Sequence, residues 1–257
     1  VIGFSVFGLS VIWPLLGCSS ELQFKDAEVA SQAFCLAPQS PEHSLIRWVG
    51  ERQTTLSVAL RDGDKERALE SFEVDIYAGG LLPESRETVQ TNAAGRLSLD
   101  TAALPQTTEP WALVFFEPGQ EEPIAELWLE ALPEGQPAIL CAGHLSEAGG
   151  LGIEQLPTED LEVRAFSYEA AGLEVFWGLY AFEQGFVGGS STLIQQTSAI
   201  VSPLDDARGV IAAPGTPPAG IDIYGEAWLV DQNSGDAVGR SLSFTPNWES
   251  GGTIEAR

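Results

Sequence analysis

The sequence predicts an all-β chain: two antiparallel β-sandwich domains after an N-terminal signal segment. Three observations predict it. Apolar residues recur at every second position in short runs, the period of a strand with one face inward and one in water. Gly, Pro, Asn and Asp cluster between those runs, as turn chemistry does. No run keeps a helical period beyond about three turns. The predicted division is 1–17 signal peptide, 18–44 anchor-proximal linker, 45–142 first sandwich, 143–157 linker and 158–257 second β-rich domain.

The chain opens with an apolar run, and no acid or base precedes Glu21. The run breaks at Leu15-Leu16-Gly17-Cys18-Ser19-Ser20. An export signal needs about 7–15 apolar residues and a small residue at its cleavage site, and Gly17 supplies the latter. This segment resembles the hydrophobic region and lipobox of a bacterial lipoprotein signal peptide. The resemblance implies acylation of Cys18, which becomes the first mature residue, and a membrane-tethered place outside the cytoplasm. Acyl chains hold through about 0.8 kcal/mol per buried methylene. Ser19 is not the Asp associated with inner-membrane retention, which points to the outer membrane or cell surface. Leu16 is bulkier than the family usually carries. No Met and no basic residue stands at the start, so further residues are expected ahead of Val1. An ordinary secretory signal or a short anchor is the alternative, although a spanning helix needs about 20 apolar residues and Pro14 interrupts one. Just after the leader, Asp26–Phe34 is predicted as a short helix with Asp26 as its N-cap.

In the first domain, Leu56, Val58 and Leu60 alternate with Ser57, Ala59 and Arg61, and Phe72, Val74 and Ile76 with Glu73, Asp75 and Tyr77. Leu97 and Leu99 alternate with Arg96, Ser98 and Asp100, and Ala125, Leu127 and Leu129 continue the set. Trp111–Phe116 is apolar on both faces and reads as a central strand. Turns fall at Asp62-Gly63, Gly79-Gly80, Asn92–Gly95, Pro118-Gly119 and Pro133–Gly135.

Two of these segments carry a family pattern. Phe72-Glu73-Val74-Asp75-Ile76-Tyr77 followed by Thr91-Asn92-Ala93-Ala94-Gly95-Arg96-Leu97-Ser98-Leu99 is similar to the carboxypeptidase-regulatory-like and CnaB-like modules, over roughly residues 45–140. The resemblance implies a non-catalytic, prealbumin- or immunoglobulin-like sandwich used for spacing or binding. CnaB modules often carry a Lys–Asn crosslink, but Lys65 lies in the turn-rich Asp62–Arg67 stretch, which does not support one here.

The second domain repeats the pattern. Leu161 and Val163 alternate with Glu162 and Arg164, and Leu173–Phe182 is apolar on both faces with Val175, Trp177 and Leu179 to one side. Leu193–Val201 reads equally as short helix or strand. Ile221–Tyr224 and Gly239–Phe244 faintly echo Asp75–Tyr77 and Gly95–Leu99, at different offsets, so an internal repeat is a hypothesis. Gly143–Pro157 is Gly-rich, weakly patterned and the expected boundary.

Composition narrows the function. Thirty-seven acids against twelve bases give a net charge of −25. A field of that sign repels nucleic acid, whose binding needs Lys/Arg clusters that are absent here. With Cys18 acylated, Cys35 and Cys141 remain. Two thiols in an oxidising compartment suggest a disulfide. A zinc site drawing on Cys35, His43, Cys141 and His144 is the sharper alternative, outside finger spacing. No nucleophile elbow, zinc-protease or phosphate-loop motif occurs. No cofactor is expected, though two acidic turns suit Ca²⁺ in part: Asp62 with Asp64, and Asp231, Asn233 and Asp236. Each is too short to supply the 6–8 oxygens calcium takes, and a plain hairpin turn accounts for both. The tryptophans read mainly as core, with Trp48 and Trp248 the better candidates for an exposed binding platform. The expected function is a lipid-anchored, non-enzymatic envelope protein that meets a protein or glycan partner, with an exported hydrolase or its accessory module as the alternative.

Overall fold

The computed structural model describes residues 22–38, 43–62, 65–66, 71–144, 160–185, 188–212, 221–244 and 255–256. The leader, Cys18, Asp64, most of the expected 143–157 linker and Trp248 lie outside them. In chain order the first strands are β1 (Leu22–Val29), β2 (Phe34–Pro38), β3 (His43–Val49), β4 (Thr55–Asp62), β5 (Lys65–Glu66), β6 (Phe72–Ala78), β7 (Ser85–Val89), β8 (Arg96–Asp100), β9 (Trp111–Phe116) and β10 (Pro123–Leu132). They are followed by β11 (Ala138–His144), β12 (Leu161–Tyr168), β13 (Glu174–Gly185), β14 (Gly188–Ile200), β15 (Asp206–Ile211), β16 (Ile221–Val230), β17 (Ala237–Phe244) and β18 (Glu255–Ala256). A single 3₁₀ turn, Thr101–Ala103, is the only helical element among the described residues. The fold is all-β.

Four sheets form two sandwiches. In the first sheet β4 is flanked by β1, β5 and β8, and the second runs β18-β2-β3-β10-β9-β6-β7. Phe24, Leu56, Val58, Leu60 and Leu97 of the one meet Leu36, Ile46, Trp48, Phe72, Trp111, Phe115 and Leu127 of the other. The third sheet is β11-β12-β15 and the fourth β14-β13-β16-β17. Their core joins Ile139, Leu161, Val163 and Ile211 to Val175, Trp177, Leu179, Leu229 and Phe244. The alternation read at β12 is the alternation of burial along that strand, while in β4 and β6 the outward-read Ala59 and Asp75 are buried as well, and in β8 Leu99 is only partly buried.

Several boundaries differ from expectation. The stretch expected as linker, 18–44, contains β1 and β2, both built into the first sandwich. The expected helix at Asp26–Phe34 is instead the end of β1, a bend at 30–33 and the start of β2. A β-bulge between Lys25 and Glu28 breaks the period of two there. Asp26 sits at φ 53, with Arg61 on its carboxylate and Arg96 donating to its carbonyl at 2.9 Å. Bulges of this kind end alternation locally, so the helical reading had nothing to oppose it. Leu193–Val201 lies almost wholly in β14. The expected end of the first domain, residue 142, falls inside β11, which pairs with β12 of the second sandwich. At the other end, β18 returns to the edge of β2. One pair in the otherwise antiparallel set, β3 with β10, is parallel.

The second sheet is buried on both faces along β2, β3 and β10. Ile46, Trp48, Leu127 and Leu129 face the first core. On the opposite face Leu45 and Trp128 reach the second core, and Cys35, Ala37, Val49 and Leu132 form a third with Leu140 and Cys141. These strands are therefore the middle layer, and the two sandwiches share a packed junction.

Candidate binding face

The junction carries the disulfide and a buried ion pair. Cys35 and Cys141 are bonded, with Cα atoms 5.9 Å apart and 106 residues between them in sequence. Both thiols are thereby used, so the zinc arrangement with His43 and His144 is overturned. His43 instead sits 3.1 Å from the Glu126 carboxylate, and His144 closes β11 opposite Val163. Beside the bridge, Arg47 Nε donates to Glu130 Oε2 at 2.6 Å and its Nη1 to the Ile139 carbonyl at 3.0 Å. Arg240 Nη1 reaches Glu130 Oε1 at 3.1 Å. Burial pulls the Arg47 guanidinium below its ordinary range, with Glu130 opposing that effect. Gln32 Nε2 donates to the Tyr168 hydroxyl across the same seam at 2.9 Å.

The other predicted positions divide. Trp48, expected to be exposed, is fully buried and stacks on Trp111 at 6.5 Å between ring centroids and 7° between planes. Its Nε1 donates to the Glu51 carbonyl at 2.8 Å, so the polar edge is satisfied inside. Strand β3 is central and covered on both faces, so Trp48 has no solvent side to present. Asp62 ends β4 opposite Lys65. The Asp231–Asp236 segment is a self-satisfied hairpin turn: Asp231 accepts from Gly235 N at 2.7 Å through its carbonyl and from Asn233 N at 2.8 Å through its carboxylate. Asp236 N donates to Ser234 Oγ at 3.2 Å. Among the described residues no three His, Cys, Asp or Glu side chains gather as a metal site.

A different site emerges on the outer face of the fourth sheet. Strand β13 turns Val175, Trp177 and Leu179 inward, so Phe176, Gly178 and Tyr180 point out. Strand β16 turns Ala227 and Leu229 inward and Tyr224, Glu226 and Trp228 out. The register sets Phe176 opposite Trp228, Gly178 opposite Glu226 and Tyr180 opposite Tyr224. Both aromatic pairs stack: Phe176–Trp228 at 5.9 Å and 13°, Tyr180–Tyr224 at 5.3 Å and 15°. All four rings are half-buried rather than buried. Such cross-strand pairs contribute roughly 0.2–1 kcal/mol each to a sheet and leave their edges to solvent.

Glu226 stands between the two pairs, about 7 Å along the strand from Tyr224 and from Trp228 at two-residue spacing. Burial, the Glu226 charge and Tyr224 together push the Tyr180 hydroxyl above its ordinary range. Gly178 makes room: a Cβ there would lie 2.8 Å from the Tyr180 ring and 3.1 Å from Leu193 Cδ1. Tyr180 and Leu193 thus cover the bare backbone at Gly178. The outer face of the second sheet is different, because Arg86 holds Asp75 with two bonds, at 2.5 and 2.7 Å, beside Phe116. Phe176, Gly178, Tyr180, Tyr224, Glu226 and Trp228 include no base. The signal for this face was present in the sequence, as Tyr224-x-Glu226-x-Trp228 and Phe176-x-Gly178-x-Tyr180, but Leu173–Phe182 read only as a buried strand.

No protein-family model and no curated protein matches the chain. Among solved structures, trypsin-activated α2-macroglobulin from Escherichia coli is 14% identical over 91% of this chain, TM-score 0.29. This chain spans only 16% of that one. The D0–D1 domain of intimin is 9% identical, over 83% of this chain and 99% of its own, TM-score 0.41. A two-domain fibronectin type-III segment of chicken tenascin is 12% identical, over 86% of this chain and 96% of its own, TM-score 0.24. These likenesses extend no further than the all-β architecture already described.

Proposed function

We propose that the chain is a lipid-anchored, non-catalytic binding protein of the bacterial cell envelope, held at the outer membrane or cell surface through Cys18. It meets a protein or glycan partner on the outer face of the fourth sheet. The single observation that carries the binding reading is the pair of half-exposed aromatic stacks flanking Glu226. Aromatic edges and faces supply contact area at low entropic cost, and a carboxylate among them accepts hydrogen bonds from sugar hydroxyls or from Lys and Arg side chains. The net charge of −25 supports a partner other than nucleic acid. The leader supports the anchor.

Two measurements test the two halves. Mass spectrometry of the chain purified from its host should find Cys18 acylated and N-terminal; an unmodified thiol with residues 1–17 still attached refutes the anchor. For the face, a glycan array and a set of Lys/Arg-rich peptides should yield a binder that quenches tryptophan fluorescence. Trp228→Ala should weaken that binder at least tenfold, about 1.4 kcal/mol, without lowering Tm by more than a few degrees. A binder indifferent to Trp228→Ala and Glu226→Gln refutes this location.

A further inference from the structure

Tyr180 and Tyr224 form the one stacked tyrosine pair among the described residues. The sequence has four tyrosines. Tyr77 stands opposite Ala112 and Tyr168 opposite Ala138, whereas Tyr180 and Tyr224 stand opposite each other on β13 and β16. These are the two central strands of the fourth sheet, so backbone pairing on both sides holds their register. Both side chains leave the same face from facing positions, and the ring carbons beside the two hydroxyls therefore stand at a common height. A centroid separation of 5.3 Å at 15° is an offset stack, in which carbon atoms of the two rings approach van der Waals contact. Both rings are half-buried, which leaves them open to a small diffusible reagent.

The side chains that usually take an oxidant first are missing. Sulfur groups are the common early targets of oxidation. This chain has no methionine, and Cys35 and Cys141 are already bonded to each other. Neither sandwich therefore holds a free thiol or a thioether. Trp48, Trp111 and Trp177 are fully buried. Of the oxidisable rings in partial contact with solvent, these two tyrosines stack on each other.

We propose that Tyr180 and Tyr224 are a site of oxidative crosslinking, joined ring to ring through the carbons ortho to their hydroxyls. The reagent is a one-electron oxidant of the peroxidase or carbonate-radical class. Each phenol gives one electron to a separate oxidant equivalent and its hydroxyl proton to water, leaving a phenoxyl radical. The two radicals pair their electrons in a new carbon–carbon bond. The hydrogens on the two bonded carbons then leave as protons while each oxygen regains one, so both phenols are restored. The net change is the loss of two hydrogens from the chain and the reduction of two oxidant equivalents. The bond closes a loop that holds β14 and β15, and a crosslink of that kind restricts the unfolded chain. The site does not depend on what the aromatic face binds.

Photolysis of the dilute full-length chain in detergent, with ruthenium tris(bipyridyl) and persulfate, tests this. The expected product is a monomeric chain lighter by two hydrogens, with the blue fluorescence of a bityrosyl group. Peptide mapping should show one linked pair, carrying Tyr180 and Tyr224. Tyr180→Phe or Tyr224→Phe should lower the yield at least tenfold, while Tyr77→Phe with Tyr168→Phe leaves it unchanged. Oxidation of the natural chain in urea, with the disulfide kept, should lower it at least tenfold as well, and this comparison serves if a Phe variant fails to fold. The absence of any linked pair, a pair through Tyr77 or Tyr168 instead, links mainly between chains, or a yield indifferent to urea overturns the proposal.

Discussion

Glu130 offers the sharpest test of the junction. Its side chain and that of Arg47 are each 7% exposed, and they meet at 2.6 Å. Removing one partner of a buried pair leaves the other charge in a low-dielectric site, at about 3–5 kcal/mol. Arg240 is 64% exposed, so its bond to Glu130 adds less than about 1 kcal/mol. Glu130→Ala should therefore cost about 3–5 kcal/mol, or a fall in Tm of roughly 6–20 °C for a body of this size. Arg47→Met should cost a similar amount, because Glu130 Oε2 and the Ile139 carbonyl both lose their donor and the buried carboxylate keeps only the exposed Arg240. The double change Arg47→Met/Glu130→Leu should recover most of the Glu130→Ala loss, since no charge is left stranded. The assay is urea unfolding under non-reducing conditions, followed by tryptophan fluorescence and compared at equal m. A cost below about 1 kcal/mol for Glu130→Ala, or a double variant no better than the single, would refute the view that the pair is desolvated at a packed seam.

Other expectations are independent of it. Replacing both cysteines, Cys35→Ala/Cys141→Ala, should cost about 2–5 kcal/mol in calorimetry or urea titration, and retention of full stability would show that the bridge adds nothing. Burial alone would raise the Asp206 carboxyl, but the bonds from Arg164 and the charges of Arg164 and Arg208 outweigh it and hold the group below its usual value. A depressed folded value means that its contribution is complete above the unfolded value near pH 4 and is lost as pH falls through the folded value. Asp206→Asn should thus flatten the acid limb of the stability profile below about pH 4; an unchanged acid limb would count against it. Gly178→Ala should swing the Tyr180 ring aside, changing the near-UV circular dichroism and weakening any ligand of the aromatic face. A spectrum identical to the parent's would mean that the ring does not depend on that space.

Much of the fold was legible where one face of a strand is wet. Strands β4, β6, β8 and β12 announce themselves because Val58, Val74, Leu97 and Val163 go inward while polar neighbours face out. Legibility fails where that contrast disappears. Strands β2 and β3 are covered on both faces, so Phe34–Pro38 shows no alternation and Trp48 gives no hint of which layer it occupies. The bulge at Asp26 scrambles the period of β1. Sheet order is unreadable for a different reason: the parallel β3–β10 pair joins residues about eighty positions apart, and no local pattern encodes such a contact. Arg47 and Glu130 look like any surface charges until that pairing brings them together. The aromatic face was half legible, since its period of two is present in β16, but only the cross-strand register reveals that its rings stack in pairs around Glu226.

The covalent link between Cys35 and Cys141 also decides how the protein answers to mechanical load. A pull applied upstream of Cys35 and resisted by the second sandwich travels through the sulfur atoms and never enters the backbone between them. The bridged segment of about a hundred residues would, if extended, add roughly 350 Å to the contour. With the bond closed, that slack stays locked away even if β1 and β2 are pulled from their partners in the first sandwich. A reducing environment would leave only the folding of that sandwich to hold it, and its unfolding under load would turn a short stiff strut into a long compliant leash.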